Sequence, residues 1–547
     1  MMDDLMMREL MTVAPLLLVA LGGLGMMLAD AFGKEKTELG LVSAVILFAA
    51  AAVALGLWFR GPMPVPDGIV SSYLASDRVA SFLDIVICGG AGLSALLAGG
   101  YLREHDIERG EFYVVLLFST LGGMVLGRAV DLLTLFLGLE TLSLGIYGLV
   151  AFRRHSPRAA EGALKYFLLG SFASAVLLFG SALLYGATGE TNLAKIGEAV
   201  ARIAAEPSGD ASVLLLLSMF LIIVGLAFKI SAVPFHAWTP DAYEGAATPV
   251  TAYMAVVVKA AVFGVMLRLL FVALGDESVA NGDSGWPPAI AALSALTMIA
   301  GNLAAIVQKS VKRMLAYSAI AHAGYLLLGV VAAWKAEGSV GLSAVLFYLA
   351  AYTVSNILAF GSLILAGSHG KEAVTYDDLA GLGRRHPLVA LPFVVGVLSL
   401  MGFPPTAGFF GKYYVILAAV DAGGGMVWLA VLAVLTSAVG AYYYLRVVVV
   451  LFMKQPEPNA PIAVPMRSGY VTGALVLASY FVVRLGVAPG SYLVLVGNGD
   501  PATLDPWTFA IDGGVALVLA VVAGALSGAR ERGEAATDAV EQPAHSS

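Results

Sequence analysis

Runs of about twenty apolar residues recur along almost the whole chain, and no other feature restricts its folding as strongly. A helix needs about 20 consecutive apolar residues to cross the hydrocarbon core of a bilayer. Such runs fall near 10–32, 38–59, 79–102, 112–127, 132–152, 164–186, 211–238, 248–275, 287–307, 312–334, 340–366, 387–420, 425–453, 468–490 and 507–528. They are far too long for barrel strands and do not alternate, so the expected fold is an all-α polytopic membrane protein with about 14–15 transmembrane helices. Composition agrees: 59% of the residues are hydrophobic and only 13% are charged, whereas soluble domains carry about 25% charged residues.

The opening MMDDLMMREL is acidic and lacks a small-residue cleavage site, so 10–32 reads as a retained first helix rather than a signal peptide. Cys88 is the only cysteine, which excludes a disulfide framework and any Cys-based metal or iron–sulfur site. No metal site and no bound cofactor are expected in this chain, and its charge of −7 does not suit nucleic acid.

Basic residues set the expected orientation. Connections after the odd-numbered runs hold Lys34, Lys36, Arg103, Arg153, Lys312, Arg384, Arg530 and Arg532 among others. Those after the even-numbered runs hold Arg60, Arg78, Arg128, Lys195, Arg202 and Lys335, and the first set is about three times larger. The N-terminus is therefore expected outside and the C-terminal tail in the cytoplasm. Arg268, Arg446 and Arg484 lie within two turns of a helix end, where long side chains reach the interface, and Asp30, Asp84, Asp131 and Asp512 are placed there too.

Lys229, Lys259 and Lys412 lie too deep in apolar sequence for that reading. A lysine at a helix centre costs roughly 2.5–3.5 kcal/mol unless it is paired or wetted. Glu140 falls midway along the fifth run and is a candidate partner for Lys229, as a proton-exchanging pair or as a static ion pair that fixes packing. His322, near the middle of the tenth run, is either a packing residue or a link in a proton wire, and His236 is placed at a helix end.

Two runs contain breaks. FKISAVPFHAW interrupts the seventh at Pro234, and SLMGFPPTAGFFGKYYV interrupts the twelfth at Pro404 and Pro405. Bilayers tolerate freed backbone groups only where protein or a water-filled cavity satisfies them. Each break carries a lysine, Lys229 before the first and Lys412 after the second, and helices five apart run in opposite directions. That pattern points to an inverted five-helix repeat. It divides the chain into N-terminal helices (1–110), a first antiporter-like repeat (111–275), a second inverted repeat (287–453), and C-terminal helices with a polar tail (468–547).

The block FKISAVPFHAWTPDAYEGAATPVTAYMAVVVKAAVF, with DDLAGLGRRHP before the twelfth run, resembles the antiporter-like subunits shared by respiratory complex I and the Mrp cation/proton antiporters. GFPPTAGFFGKYYVI and TSAVGAYYYLRVVVVLF most resemble the N-type branch from bacterial NADH:quinone oxidoreductase. M-type subunits usually carry glutamate where Lys412 stands, and L-type subunits have a long lateral helix that is missing here. The resemblance spans about 10–490, and the family's usual fourteen spans make the run at 507–528 an addition.

The resemblance implies a bacterial cell-membrane subunit of a proton-translocating NADH:quinone oxidoreductase, partnered by other membrane and peripheral subunits. Flavin, iron–sulfur clusters and quinone would belong to those other subunits. Glu140, Lys229, Lys259 and Lys412 match the family's proton-relay residues, and Glu161 with Lys165 matches a further charged pair. GFFGK is not a phosphate loop, because Tyr413 follows Lys412 where Ser or Thr is required. A subunit of an Mrp-type sodium/proton antiporter and a non-pumping membrane scaffold remain as alternatives.

Overall fold

The computed structural model describes residues 2–32, 38–62, 68–205, 210–280, 285–336, 340–367, 370–456, 465–497 and 503–541. Lys34, Lys36, the tail 542–547 and the side chains of Arg530 and Arg532 lie outside the described residues. Among those described, the protein is all-α, with isolated bridges and no β-sheet.

Fourteen of the described helices are long and apolar enough to cross a membrane. We number the main helices α1 (Ala14–Phe32), α2 (Leu39–Arg60), α3 (Arg78–Glu104), α4 (Gly110–Arg128), α5 (Leu132–Val150), α6 (Pro157–Thr188), α7 (Asp210–Lys229) and α8 (Thr248–Ala273). There follow α9 (Trp286–Ile306), α10 (Val311–Lys335), α11 (Val340–Ala366), α12 (Pro387–Met401), α13 (Ala407–Asp421), α14 (Gly425–Phe452), α15 (Gly469–Val487) and α16 (Pro506–Glu541). The expected run at 387–420 is thus two short helices, α12 and α13, neither of which is counted among the fourteen. The run at 507–528 is helical, and its apolar part packs against α15.

Burial sorts the helices into a centre and a rim. Of the apolar window, 94% is buried in α10 and 89% in α11, against 22% in α16 and 28% in α1. A helix that is apolar all round and buried all round belongs in the core of a bundle. The rim helices turn large side chains outward, for example Leu168 and Phe172 of α6 and Val518 and Val521 of α16, as a lipid-facing surface would.

Between apolar helices, close packing depends on small residues at the contact. A Cβ on Gly138 of α5 would lie 2.6 Å from Leu126 N of α4, and one on Gly324 of α10 would lie 2.7 Å from Met298 N of α9. These contacts hold α5 and α10 against their neighbours just beside Glu140 and His322. Helix α8 departs from α geometry twice, in π-helical stretches at Met254–Val258 and Leu269–Ala273, and Lys259 opens the α-helical segment between them.

Candidate functional site: a line of buried lysines

Both breaks fall where the prolines place them, and each is stitched rather than left open. At the first, α7 stops at Lys229 and a turn with a cis Val233–Pro234 bond leads to a short helix, Thr239–Gly245. Val233 N donates to Thr297 Oγ1 of α9 at 2.9 Å, and the Trp238 indole donates to Phe228 O at 3.1 Å. His236 lies in this turn. At the second break the Pro404–Pro405 bond is cis, and Gly408 N donates to Ser399 Oγ at 3.1 Å.

All three lysines are buried, as are Ser143 and His322 beside them. Lys229 Nζ donates to Ser143 Oγ at 2.8 Å and Tyr147 OH at 3.3 Å, both on α5. Glu140 lies one turn earlier on the same face of α5, since residues three and seven apart share a helix face. Among the described residues no ion pair joins Glu140 to Lys229, so the expected contact is displaced by one turn, with hydroxyls taking the ammonium.

The other two lysines bracket His322. Lys259 Nζ lies 5.5 Å from the centroid of the Tyr352 ring, which is itself 5.1 Å from that of His322. On the other side the His322 ring is 5.9 Å from Tyr325, and Lys412 Nζ lies 4.9 Å from the Tyr325 centroid. His322 bonds through Nδ1 to Tyr348 OH at 2.6 Å and through Nε2 to Tyr444 OH at 3.1 Å. Lys412 Nζ donates to Met401 O at 3.0 Å and Ser437 Oγ at 2.9 Å. Met401 is the last residue of α12, so Lys412 caps a carbonyl that the break set free.

Residues at mid-helix lie at similar depth. At about 1.5 Å per residue, Lys259 and His322 are each about 16 Å from the start of their helices, roughly half of a 30 Å hydrocarbon core. The tyrosines were not singled out from sequence, and neither were several polar atoms near them. Among the described residues Tyr352 OH, Thr353 Oγ1 and Asn356 Oδ1, all on α11, are buried without a protein hydrogen-bond partner, and so is Oε1 of Glu140, which the sequence did mark.

A second cluster, centred on Glu372, was also missed. It lies in the loop between α11 and α12 and accepts from Tyr101 OH (2.8 Å), Thr248 Oγ1 (2.6 Å) and Arg153 (3.0 Å), with Lys312 Nζ at 3.5 Å. One carboxylate therefore ties the loop to the ends of α3 and α5 and the starts of α8 and α10. Burial alone would raise its pKa, but Lys312 and Arg153, with hydrogen bonds from Thr248 and Tyr101, hold it down to about 2. Beside it, Lys165 bridges Glu161 at 2.6 Å and Asp241 at 2.8 Å, and Arg313 also reaches Asp241 at 2.9 Å. Glu161 and Lys165 thus pair at a half-exposed edge of the bundle.

Several residues expected near helix ends have defined partners there. Asp84 is fully buried and pairs with buried Arg128, and Arg268 forks onto both oxygens of Asp77 at 2.7 Å. Arg446 stacks on Tyr376, and Arg484 binds Asp512. Asp131 caps the start of α5. Among the described residues no group of three or more His, Cys, Asp or Glu is placed to hold a metal ion.

An all-α bundle of fourteen candidate spans with lysines buried in its middle defines a class of multi-span membrane subunits, and the comparisons say which family the chain falls in. Residues 129–440 match the family model described as NADH:quinone oxidoreductase/Mrp antiporter, TM, and the chain belongs to that family. It is 53% identical over 496 residues to NADH-quinone oxidoreductase subunit N 1 of Sorangium cellulosum, covering 88% of this chain and 96% of that one. Subunit N of Myxococcus xanthus is 41% identical over 524 residues, with 89% of this chain and 97% of that one covered. Among solved structures, a chain of respiratory complex I from Thermus thermophilus superposes with a TM-score of 0.72 at 36% identity, covering 89% of this chain and all of that one. A chain of the Mrp complex from Dietzia shares the fold at a TM-score of 0.75 and 23% identity. The homology to subunit N recurs across many bacterial species, and the chain is a bacterial multi-pass membrane protein.

Proposed function

We propose that this chain is a proton-translocating membrane-arm subunit of an NADH:quinone oxidoreductase, moving protons while electrons pass from NADH to quinone in other subunits. The single observation that carries this reading is the continuous line Lys259–Tyr352–His322–Tyr325–Lys412, buried at mid-depth between α8 and the second break. Lys229, with Glu140 one turn from its hydroxyl partners, extends the line towards the first break. Intramembrane ionisable residues are costly and mark proton or ion pathways by default. The partnerless polar atoms on α11 fit the same reading, because such atoms are the usual seats of bound water in proteins.

In the proposed step, Lys229 loses contact with the negative field of Glu140 and gives up its proton towards Lys259. The proton then passes by His322 and the tyrosines to Lys412, which releases it beyond the second break. The inverted five-helix repeat supplies the geometry: each severed helix brings one lysine to mid-depth from opposite directions. In this reading the end of the bundle holding Glu372, Arg153 and Lys312 faces the cytoplasm and the N-terminus lies outside, in keeping with the excess of basic residues in the connections at that end. Glu161 and Lys165 would sit at that edge as an uptake point. The chain itself carries no redox step, and its partners are the other subunits of the complex.

Replacing Lys259 by alanine in the assembled complex tests the reading. Proton transfer into proteoliposomes, driven by NADH oxidation, should fall at least tenfold while the complex still assembles. Full pumping in that variant would leave the chain as a scaffold.

A further inference from the structure

A groove of about 840 Å³ opens on the outer face of the bundle between α2, α3, α15 and α16. All four walls lie outside residues 129–440, the part of the chain matched by the family model. Its rim is charged with both signs: Glu38, Arg103, Glu104 and Arg467 stand together at one end. Below the rim the walls are apolar, with Phe48, Leu96, Leu477 and Leu517 among the deepest lining residues.

The depth of the groove identifies the kind of occupant. From Glu38 to Phe48 on α2, from Glu104 back to Leu96 on α3, and from Ala525 back to Leu517 on α16, each wall runs eight to ten residues. At about 1.5 Å per residue that is about 12–15 Å, or half of a 30 Å hydrocarbon core. A transmembrane helix of a partner would need a track through the whole core. A lipid of one leaflet needs half of it, with its head at the rim.

The rim selects among lipids. Arg103 uses Nε to bind Glu108 at 2.8 Å, and its guanidinium lies 5.1 Å from the Tyr470 ring, which holds it over the groove. Two guanidinium groups at one rim, those of Arg103 and Arg467, are chemistry that suits a phosphate. Glu38, at 3.9 Å from Arg103, and Glu104 would repel a purely anionic head but suit an ammonium.

We propose that this groove binds one zwitterionic phospholipid of the phosphatidylethanolamine type, phosphate towards Arg103 and Arg467, ammonium towards Glu38 and Glu104, acyl chains along α2 and α16. Val45 lines the groove and is exposed, so it can be changed without opening the core. The test uses the chain purified from its own membrane together with the subunits that accompany it. A photoreactive benzoylphenylalanine at position 45 should give an adduct with the mass of phosphatidylethanolamine. Native mass spectrometry should show that lipid retained in the unmodified protein. Retention should drop at least fivefold in Val45→Trp, which fills the groove, and in the double variant Arg103→Ala/Arg467→Ala. An adduct to another subunit, preferential retention of phosphatidylglycerol or cardiolipin, or lipid retention unchanged in both variants would overturn the assignment.

Discussion

At the first break Lys229 bonds across to Ser143 and Tyr147 on α5, whereas at the second Lys412 bonds both across to Ser437 on α14 and back to Met401 O of its own severed helix. The reason lies in what caps each freed carbonyl. Phe228 O already accepts from Ser231 N and from the Trp238 indole, each at 3.1 Å, which leaves Lys229 to a neighbouring helix that also carries Glu140. No indole is bonded to Met401 O, and the lysine itself is the cap. The contacts of Lys229 thus depend on the placement of α5 against α7, while those of Lys412 depend on the integrity of its own break as well as on α14. The two sites answer to different motions.

Substitutions can break this distinction. The largest effect is expected from Lys229→Arg, because arginine stays charged and cannot release a proton in the relevant range. Proton transfer in proteoliposomes should fall at least tenfold, with the thermal midpoint of the complex nearly unchanged. Lys412→Met should lose transfer to a similar degree and also destabilise the subunit, since the part-buried Met401 carbonyl loses a hydrogen bond, typically worth about 0.5–1.5 kcal/mol. Equal thermal midpoints for the two variants would erase the contrast between the breaks.

Trp238→Phe sharpens the comparison by removing one of the two donors to Phe228 O at the first break, the other being Ser231 N. Lys229 should then turn back to that carbonyl as Lys412 does at its own, slowing transfer several-fold; an unchanged rate would show that the indole does not set the lysine's direction. A smaller loss, about two- to fivefold, is expected for Tyr348→Phe, which removes the hydroxyl on His322 Nδ1 but keeps the ring. The same substitution should not alter the first break, which hydrogen–deuterium exchange over residues 230–238 would check.

The least effect on transfer is expected at Glu372, which fastens both halves at one end of the bundle. Its carboxylate is held at about 2, below the ordinary 4.5, so its stabilising contribution is complete above about pH 4.5 and is lost as the pH falls towards 2. Glu372→Gln should remove that part of the acid sensitivity, flattening thermal stability between pH 4.5 and 2 relative to the unmodified protein. An identical pH profile would show that the carboxylate contributes nothing by its charge.

Much of this site could be read before any coordinates, for a physical reason. A lysine in a twenty-residue apolar run and a proline beside it each carry a cost that sequence displays directly, so Lys229, Lys259, Lys412 and both breaks were visible. Tyr348, Tyr352 and Tyr444 were not, because a tyrosine in a membrane helix is ordinary and its partner lies on another helix far along the chain. Glu372 sits in a loop among many charges, and only the convergence of four helix ends buries it. The offset between Glu140 and Lys229 depends on the axial register of α5 against α7, which no local pattern encodes.

The π-helical stretch Met254–Val258 just before Lys259 has a rotational consequence. A π turn accommodates one residue more than an α turn, and in an α-helix each residue is worth about 100° of azimuth. Were that stretch to tighten into α geometry, the lysine would swing by about that angle around the axis of α8, away from Tyr352 and towards a different neighbour. The helix therefore holds a compass setting for its charge, fixed by the count of residues in a single turn.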